Sequence, residues 1–429
     1  MPQPHSGRRV GPPKSLVDRV KPAMPLNVIH VFRAPVGGLF RHVIDLVRGQ
    51  IARGHRVGII ADSLTGDARS DETFAELGPR LALELTRIPM RRQLDPLDAP
   101  AVLHVTQRIR QTGADVIHGH GAKGGAYARL ATPGRRVVRG YTPHGGSLLL
   151  HHDNWSGRMY LTLERILLAR RALYLFESAY SGQIFREKIG KPNGIVRVIH
   201  NGVSKSEFEP VTCVPDATDL VFIGEFRPVK GIDILIDAIA SLHALGRPVT
   251  ATLVGSGPDE AELKAQVARL SMQQAIRFMP AMPARVALTL GRVMVIPSRA
   301  ESLPYVVLET AAAAKPLITT NVGGIPEIYG PLSPALVRAG DAGALSEAIA
   351  DTLESPAAAA QLAAQLRERV AASFSVDAMV DGVISAYREA MAQHVPFCRM
   401  RRWRGNSAQP DHFGLALSAP AFSSLSSRT

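Results

Sequence analysis

Two carboxylates and two cations in the second half of the chain have the types and spacing to hold a phosphorylated ligand. In "SRAESLPYVVLETAAAAKP", Glu301 precedes Pro304 in a loop, and Glu309 falls about one turn inside the helix expected after it. A carboxylate can accept two hydrogen bonds from a vicinal diol such as a ribose, and the backbone N–H groups of "SLPY" at a helix start suit a phosphate. The plainer alternative is a pair of surface glutamates favoured by the helix dipole. Upstream, "FIGEFRPVKG" sets Arg227 and Lys230 between a strand and a helix start. The dipole disfavours cations there, and an anionic ligand would resolve the conflict; a solvated surface pair is the alternative.

The first half offers glycines and histidines. Gly37 and Gly38 lie between a strand and a helix, where glycine either lets the backbone approach a phosphate or simply makes a tight turn. "GHGAKGG" contains a literal GxGxxG at Gly119, Gly121 and Gly124. It follows a later strand rather than the first, and no acidic residue stands about 20 residues on to meet a ribose, so a dinucleotide site is disfavoured. His118, His120, His144, His151 and His152 are concentrated here, without a Cys partner, HExxH spacing or an Asp-x-Asp, and no metal site is expected. His144, in "YTPHGG" after a strand, reads as a polar group facing a crevice; His118, His151 and His152 read equally well as structural histidines.

These residues need strands and helices to position them. "LNVIHVF", the helical stripe Leu39, Val43, Leu46, Val47 and Ile51, and "HRVGIIA" form a βαβ unit, which requires parallel pairing with a right-handed crossover. Strands are expected near 82–88, 115–119, 136–142, 173–177 and 195–199, with helices near 100–112, 124–130, 158–170 and 181–188. A second alternating series begins at "DLVFIGE". Two doubly wound, Rossmann-like α/β domains in tandem follow, with ligands expected at the carboxyl ends of both sheets. The divisions read as a disordered basic arm over 1–25, a first domain over 26–202, a linker over 203–217, a second domain over 218–374, a further helix over 375–392 and an unstructured tail over 396–429.

Composition narrows the class. The chain has 429 residues, 46% hydrophobic, with a net charge of +13, which suits folded domains rather than disorder. Residues 1–210 hold 31 basic and 17 acidic residues, whereas the remainder is close to neutral. A basic half suits nucleic acid, an anionic membrane or a phosphorylated substrate. With only 5% aromatic residues and no recognition motif, a nucleic-acid-binding protein is the weaker reading. Only Cys213 and Cys398 are present, and the N-terminus lacks the apolar core of a secretory signal. A cytoplasmic protein, peripheral at the inner face of the plasma membrane, is expected. The stretch "RMYLTLERILLARR" could lie on such a surface, or be an ordinary core-facing helix.

In their order, "GGLFRHV", "DVIHGHGAKGG", "YTPHGG", "VIHNGV", "GEFRPVKG", "LVGSGPDEAEL", "AESLPYVVLE" and "VGGIPEI" resemble the motifs of retaining GT-B glycosyltransferases of family 4, from about Asn27 to Met391. The resemblance implies the GT-B fold: two domains face each other across a cleft, and a C-terminal helix crosses back onto the first. It also implies a nucleotide-diphosphate sugar, UDP- or GDP-linked, held mainly by the second domain.

On matching positions, Arg227 and Lys230 would bind the donor diphosphate, Glu309 the ribose, and Glu301 the transferred sugar. Gly37 and Gly38 would approach the diphosphate, His144 the donor sugar, and Gly255, Ser302, Leu303 and Pro304 would complete the donor site. Ser302 stands where many members carry Gly, keeping the backbone N–H but changing the fit. The resemblance further implies front-face transfer with retention and without a metal, to a glycan or polyisoprenyl-diphosphate-linked acceptor in cell-surface glycan synthesis. A nucleotide-sugar 2-epimerase on the same fold is the alternative enzyme.

Overall fold

The computed structural model describes residues 24–134, 136–145 and 155–393. The arm expected over 1–25, but for its last two residues, lies outside them, as do the tail over 396–429 and His151 and His152.

The first half is a seven-stranded sheet of β1 (Asn27–Phe32), β2 (Arg56–Asp62), β3 (Leu85–Ile88), β4 (Val116–His120), β5 (Val138–Thr142), β6 (Ala172–Phe176) and β7 (Gly194–Val198). Its order is β3-β2-β1-β4-β5-β6-β7, and every pairing is parallel. Around it pack α1 (Gly37–Ala52), α2 (Ala68–Leu77), α3 (Asp98–Thr112), α4 (Gly121–Leu130), α5 (Trp155–Leu167) and α6 (Ala179–Lys188). The second half is a parallel sheet of β8 (Thr218–Ile223), β9 (Ala251–Val254), β10 (Ile276–Met279), β11 (Gly291–Ile296) and β12 (Leu317–Thr319), in the order β10-β9-β8-β11-β12. Its helices are α7 (Ile232–Ala244), α8 (Glu260–Arg269), α9 (Ala284–Ala287), α10 (Tyr305–Ala312), α11 (Ile325–Tyr329), α12 (Ala342–Glu354) and α13 (Pro356–Ser373).

The strands are apolar runs because helices cover both faces of each sheet. Leu235, Ile239, Leu263 and Ile349 cover one face of the second sheet, and Val307, Leu308, Leu366 and Val370 the other. The last helix, α14 (Val376–Gln393), packs instead on the first half, burying Met379, Val380, Val383 and Tyr387 against Leu46, Val116 and Leu173. A Cβ on Gly49 of α1 would lie 2.5 Å from Val380, so the absent side chain lets the two helices approach. The return is anchored at Val203, which pairs with Ser375.

Three local features differ from the sequence reading. α2 was not expected: its polar sequence buries only Ser70, Phe74 and Leu77, and its start is fixed by a capping box between Asp67 and Ser70. β3 starts at Leu85 rather than residue 82, because Glu84 has φ 64°, a left-handed conformation that no strand continues through. α4 starts at Gly121, three residues early. Within α5, Leu161 and Leu167 are buried and Glu164 pairs with the buried Arg129 at 2.7 Å, so this helix packs onto the domain. No helix among the described residues is long and apolar enough to cross a membrane.

Candidate functional site

The strand order reverses between β1 and β4 and again between β8 and β11. The crevice of such a sheet opens at that reversal, at the carboxyl ends of the strands. The loops found there carry Gly37 and Gly38, Gly121, residues 224–231 and residues 297–304. α1 and α10 both start without a side-chain cap and without an acidic residue in the first turn. Their leading N–H groups and positive dipole ends are therefore not neutralised by the chain itself.

In the second half, Lys230 Nζ lies 2.6 Å from Glu301 Oε1, which also accepts from Ser298 Oγ at 2.7 Å. Glu301 is buried, so its charge is compensated by one ammonium and one hydroxyl. The loop is clamped from beneath: a Cβ on Gly323 would lie 1.9 Å from the Glu301 carbonyl oxygen, and Gly324 N–H donates to Ser302 O at 2.7 Å. Arg227 is more exposed and pairs with Glu225 at 2.6 Å. Gly255 has φ 154° and packs against the Gly224 carbonyl.

Contacts across the cleft join the halves. Arg41 of α1 forms ion pairs with Glu309 of α10 and with Glu207, and its guanidinium stacks 4.5 Å over the Tyr305 ring. Burial raises the Glu309 carboxyl above its ordinary range, and Arg41 opposes that rise. Gly38 faces Tyr305, and a Cβ there would be 3.5 Å from the ring. His42 Nδ1 meets Asn201 Oδ1 at 2.9 Å, and Asn201 Nδ2 donates to Leu303 O at 2.8 Å. The Ser302 hydroxyl donates to the buried Glu177 at the end of β6 and meets Ser181 Oγ at 2.7 Å. The side chain that distinguishes position 302 from Gly thus reaches into the first half.

His144 has φ 53°, and its ring meets that of His42 edge-on with centroids 4.6 Å apart. Behind it His120, His30 and His118 form one buried cluster. Burial lowers all five imidazoles, His30 and His42 to about 4, so they are neutral at pH 7. The sets His30, His118, His120 and His42, His120, His144 each bring ring nitrogens within 4.8 Å of one another, the spacing a metal ion would need. Most of these nitrogens already hydrogen-bond within the cluster or to Gln50, Thr142, Asn201 and Tyr387.

Residues 36–207 match the family model described as Glycosyltransferase Family 4, and residues 217–355 the one described as Glycosyl transferases group 1. The chain is a family 4 glycosyltransferase. A D-inositol 3-phosphate glycosyltransferase of Jonesia denitrificans is 27% identical over 325 residues, covering 67% of this glycosyltransferase and 76% of that protein. Sucrose-phosphate synthase of Thermosynechococcus elongatus superposes with a TM-score of 0.73 at 23% identity, over 86% of this chain and 100% of that one. HepE of Anabaena, solved with UDP-glucose, superposes with a TM-score of 0.70 at 19% identity, over 85% and 100%. These likenesses give the transferase the GT-B fold.

Of the predicted site residues, the glycosyltransferase brings Lys230, Glu301 and Ser302 into one loop pair, and Gly38 and Glu309 together around Tyr305 and Arg41. Leu303 is reached through Asn201, and His144 through His42. Arg227 pairs with Glu225, Lys230 with Glu301, and Glu309 with Arg41. Sequence reasoning missed Arg41, His42, Asn201 and Tyr305 as site residues. All four stand inside motifs already singled out, "GGLFRHV", "VIHNGV" and "AESLPYVVLE", but their partners across the cleft lie 102 or more residues away in the chain.

Proposed function

We propose that this glycosyltransferase moves a hexose, with retention, from a nucleotide-diphosphate sugar to a glycan or polyisoprenyl-diphosphate-linked acceptor in cell-surface glycan synthesis. The observation that carries the reading is the Lys230–Glu301–Ser298 set at the mouth of the second sheet, opposite the uncapped start of α1. A diphosphate entering there meets one partly exposed ammonium and two helix N-termini. These groups can stabilise the leaving diphosphate without a metal. Lys230 is held by Glu301 until the donor arrives, and the freed Glu301 carboxylate can then accept from sugar hydroxyls. His144 and His42, neutral and adjacent, offer ring nitrogens to the sugar from the other wall, and Glu309 offers a carboxylate to the ribose once Arg41 yields.

The UDP-glucose bound by HepE makes UDP-sugars the first donors to test, with GDP-sugars second. The phosphorylated acceptor named for the Jonesia denitrificans relative supports an anionic acceptor for the basic first half. Work on the cytoplasmic side of an anionic membrane fits the same charge. Lys230→Ala and Glu301→Gln should each lower kcat about 100-fold or more, measured as nucleoside diphosphate release with the donor and acceptor found by screening. The anomeric configuration of the product, read by proton NMR, should match that of the donor. Near-normal turnover in Lys230→Ala, or an inverted product, would sink this reading.

A further inference from the structure

The buried imidazoles form a chain with a direction. Gln50 of α1 is fully buried, and its Oε1 lies 3.0 Å from His30 Nε2. His30 Nδ1 lies 2.9 Å from His120 Nε2, and His120 Nδ1 lies 3.0 Å from His144 Nε2. A neutral imidazole has one donor and one acceptor nitrogen. An amide oxygen only accepts, so His30 carries its hydrogen on Nε2 and presents a bare Nδ1. His120 must then donate from Nε2 and accept at Nδ1, and His144 must donate from Nε2. One buried amide therefore dictates which nitrogen of His144 holds the hydrogen.

A Gln50 amide turned end for end would reverse every bond in the chain. The structure places the amide oxygen toward His30. The amide nitrogen, buried, has no hydrogen-bond partner among the described residues, and the Tyr387 hydroxyl meets His118 Nδ1 at 2.7 Å. His118 closes its own account with Thr142 Oγ1 at 2.9 Å and stands beside the chain rather than in it.

We propose that Gln50, His30 and His120 are positioning residues that fix His144 as the Nε2–H tautomer, leaving Nδ1 as the nitrogen that accepts from a donor-sugar hydroxyl. The tautomer stands on the geometry alone; only its catalytic consequence rests on the donor-sugar role proposed for His144. Protonating any of the three imidazoles in the chain would put two donors against each other in a buried site.

The test is nitrogen-15 NMR of the full chain labelled at histidine, without donor or acceptor, with two-bond proton–nitrogen correlations reading each ring's tautomer. Single His→Gln variants assign the rings. The expected result at pH 7.5 is the Nε2–H form for His30, His120 and His144. Gln50→Met should release the constraint and give His144 a measurable Nδ1–H population, at least one part in ten. Thr142→Val, which disturbs the cluster beside the chain, should leave His144 unchanged; far-ultraviolet circular dichroism checks that each variant is folded. An Nδ1–H form of His144 in the unmodified protein, or no change in folded Gln50→Met, would overturn the proposal. So would stoichiometric zinc binding that removes the Nε2–H signals of His30 and His120. Because no sugar is present, failure of the donor assignment leaves these outcomes intact. A fall in kcat for Gln50→Met, at a donor KM within two-fold of normal, would extend the effect to turnover.

Discussion

At the scale of single residues, the site is built from charges that are already paired and imidazoles that are already neutral. Both conditions are set by burial. His30 and His42 fall to about 4 from an ordinary 6.5 because the core desolvates the cation. As pH falls through that window the unfolded chain takes up protons first, so stability is lost on acidification. Each of these two histidines can contribute about 3 kcal/mol to that loss. Asp45, raised by burial to about 6, acts in the opposite sense, because its folded form binds the proton first as pH drops. Urea unfolding should therefore show stability decreasing between pH 6.5 and 4. His30→Gln should flatten the slope and Asp45→Asn should steepen it; a slope unchanged in His30→Gln would count against a neutral buried imidazole there.

At the scale of elements, the literal GxGxxG turns out to be a packing device. A Cβ on Gly124 would lie 2.2 Å from the Val31 carbonyl oxygen, and one on Gly119 would lie 2.2 Å from that of Gly124. α4 can settle onto β1 and β4 only because those atoms are missing. The obstacle is backbone rather than a rotatable side chain, so the helix itself must move to admit even a methyl group. Gly124→Ala is expected to destabilise by about 2 kcal/mol or more, seen as a lower melting temperature. Gly78 has φ −47° and open space around it, and Gly78→Ala should leave the melting temperature within about 1 °C. α2 and the late start of β3 escaped sequence reading for equally local reasons. A capping box on a polar helix gives little periodic signal, and nothing in the sequence announces the left-handed Glu84.

At the scale of the whole molecule, the two halves are held by polar contacts across a cleft and by one helix returned to its origin. Arg41 is the centre of the polar set, bonded to Glu309, Glu207 and Asp45. Arg41 is partly buried between these carboxylates, and removing it leaves their charge uncompensated. Arg41→Ala should therefore loosen closure, read as a larger radius of gyration in small-angle scattering, whereas Arg41→Lys should recover part of it. An unchanged scattering profile in Arg41→Ala would show that Arg41 is not needed to hold the domains closed.

The alternation of apolar strands and amphipathic helices, with glycine or proline turns between them, determined two parallel sheets, and parallel pairing in turn placed the chemistry at strand ends. That is why Lys230, Glu301, Gly38 and His144 could be named from their positions in the chain. Which of them meet was decided only by folding. β1 and β4 are neighbours although residues 33–115 lie between them in the chain, and that pairing sets His30 beside His118. Domain closure then gave Glu309 to Arg41 and Ser302 to Glu177. Periodicity records which face of an element is buried, because that is a property of neighbouring residues. It carries no record of which distant charge will fill the space opposite, because that depends on strand order and on how two sheets approach.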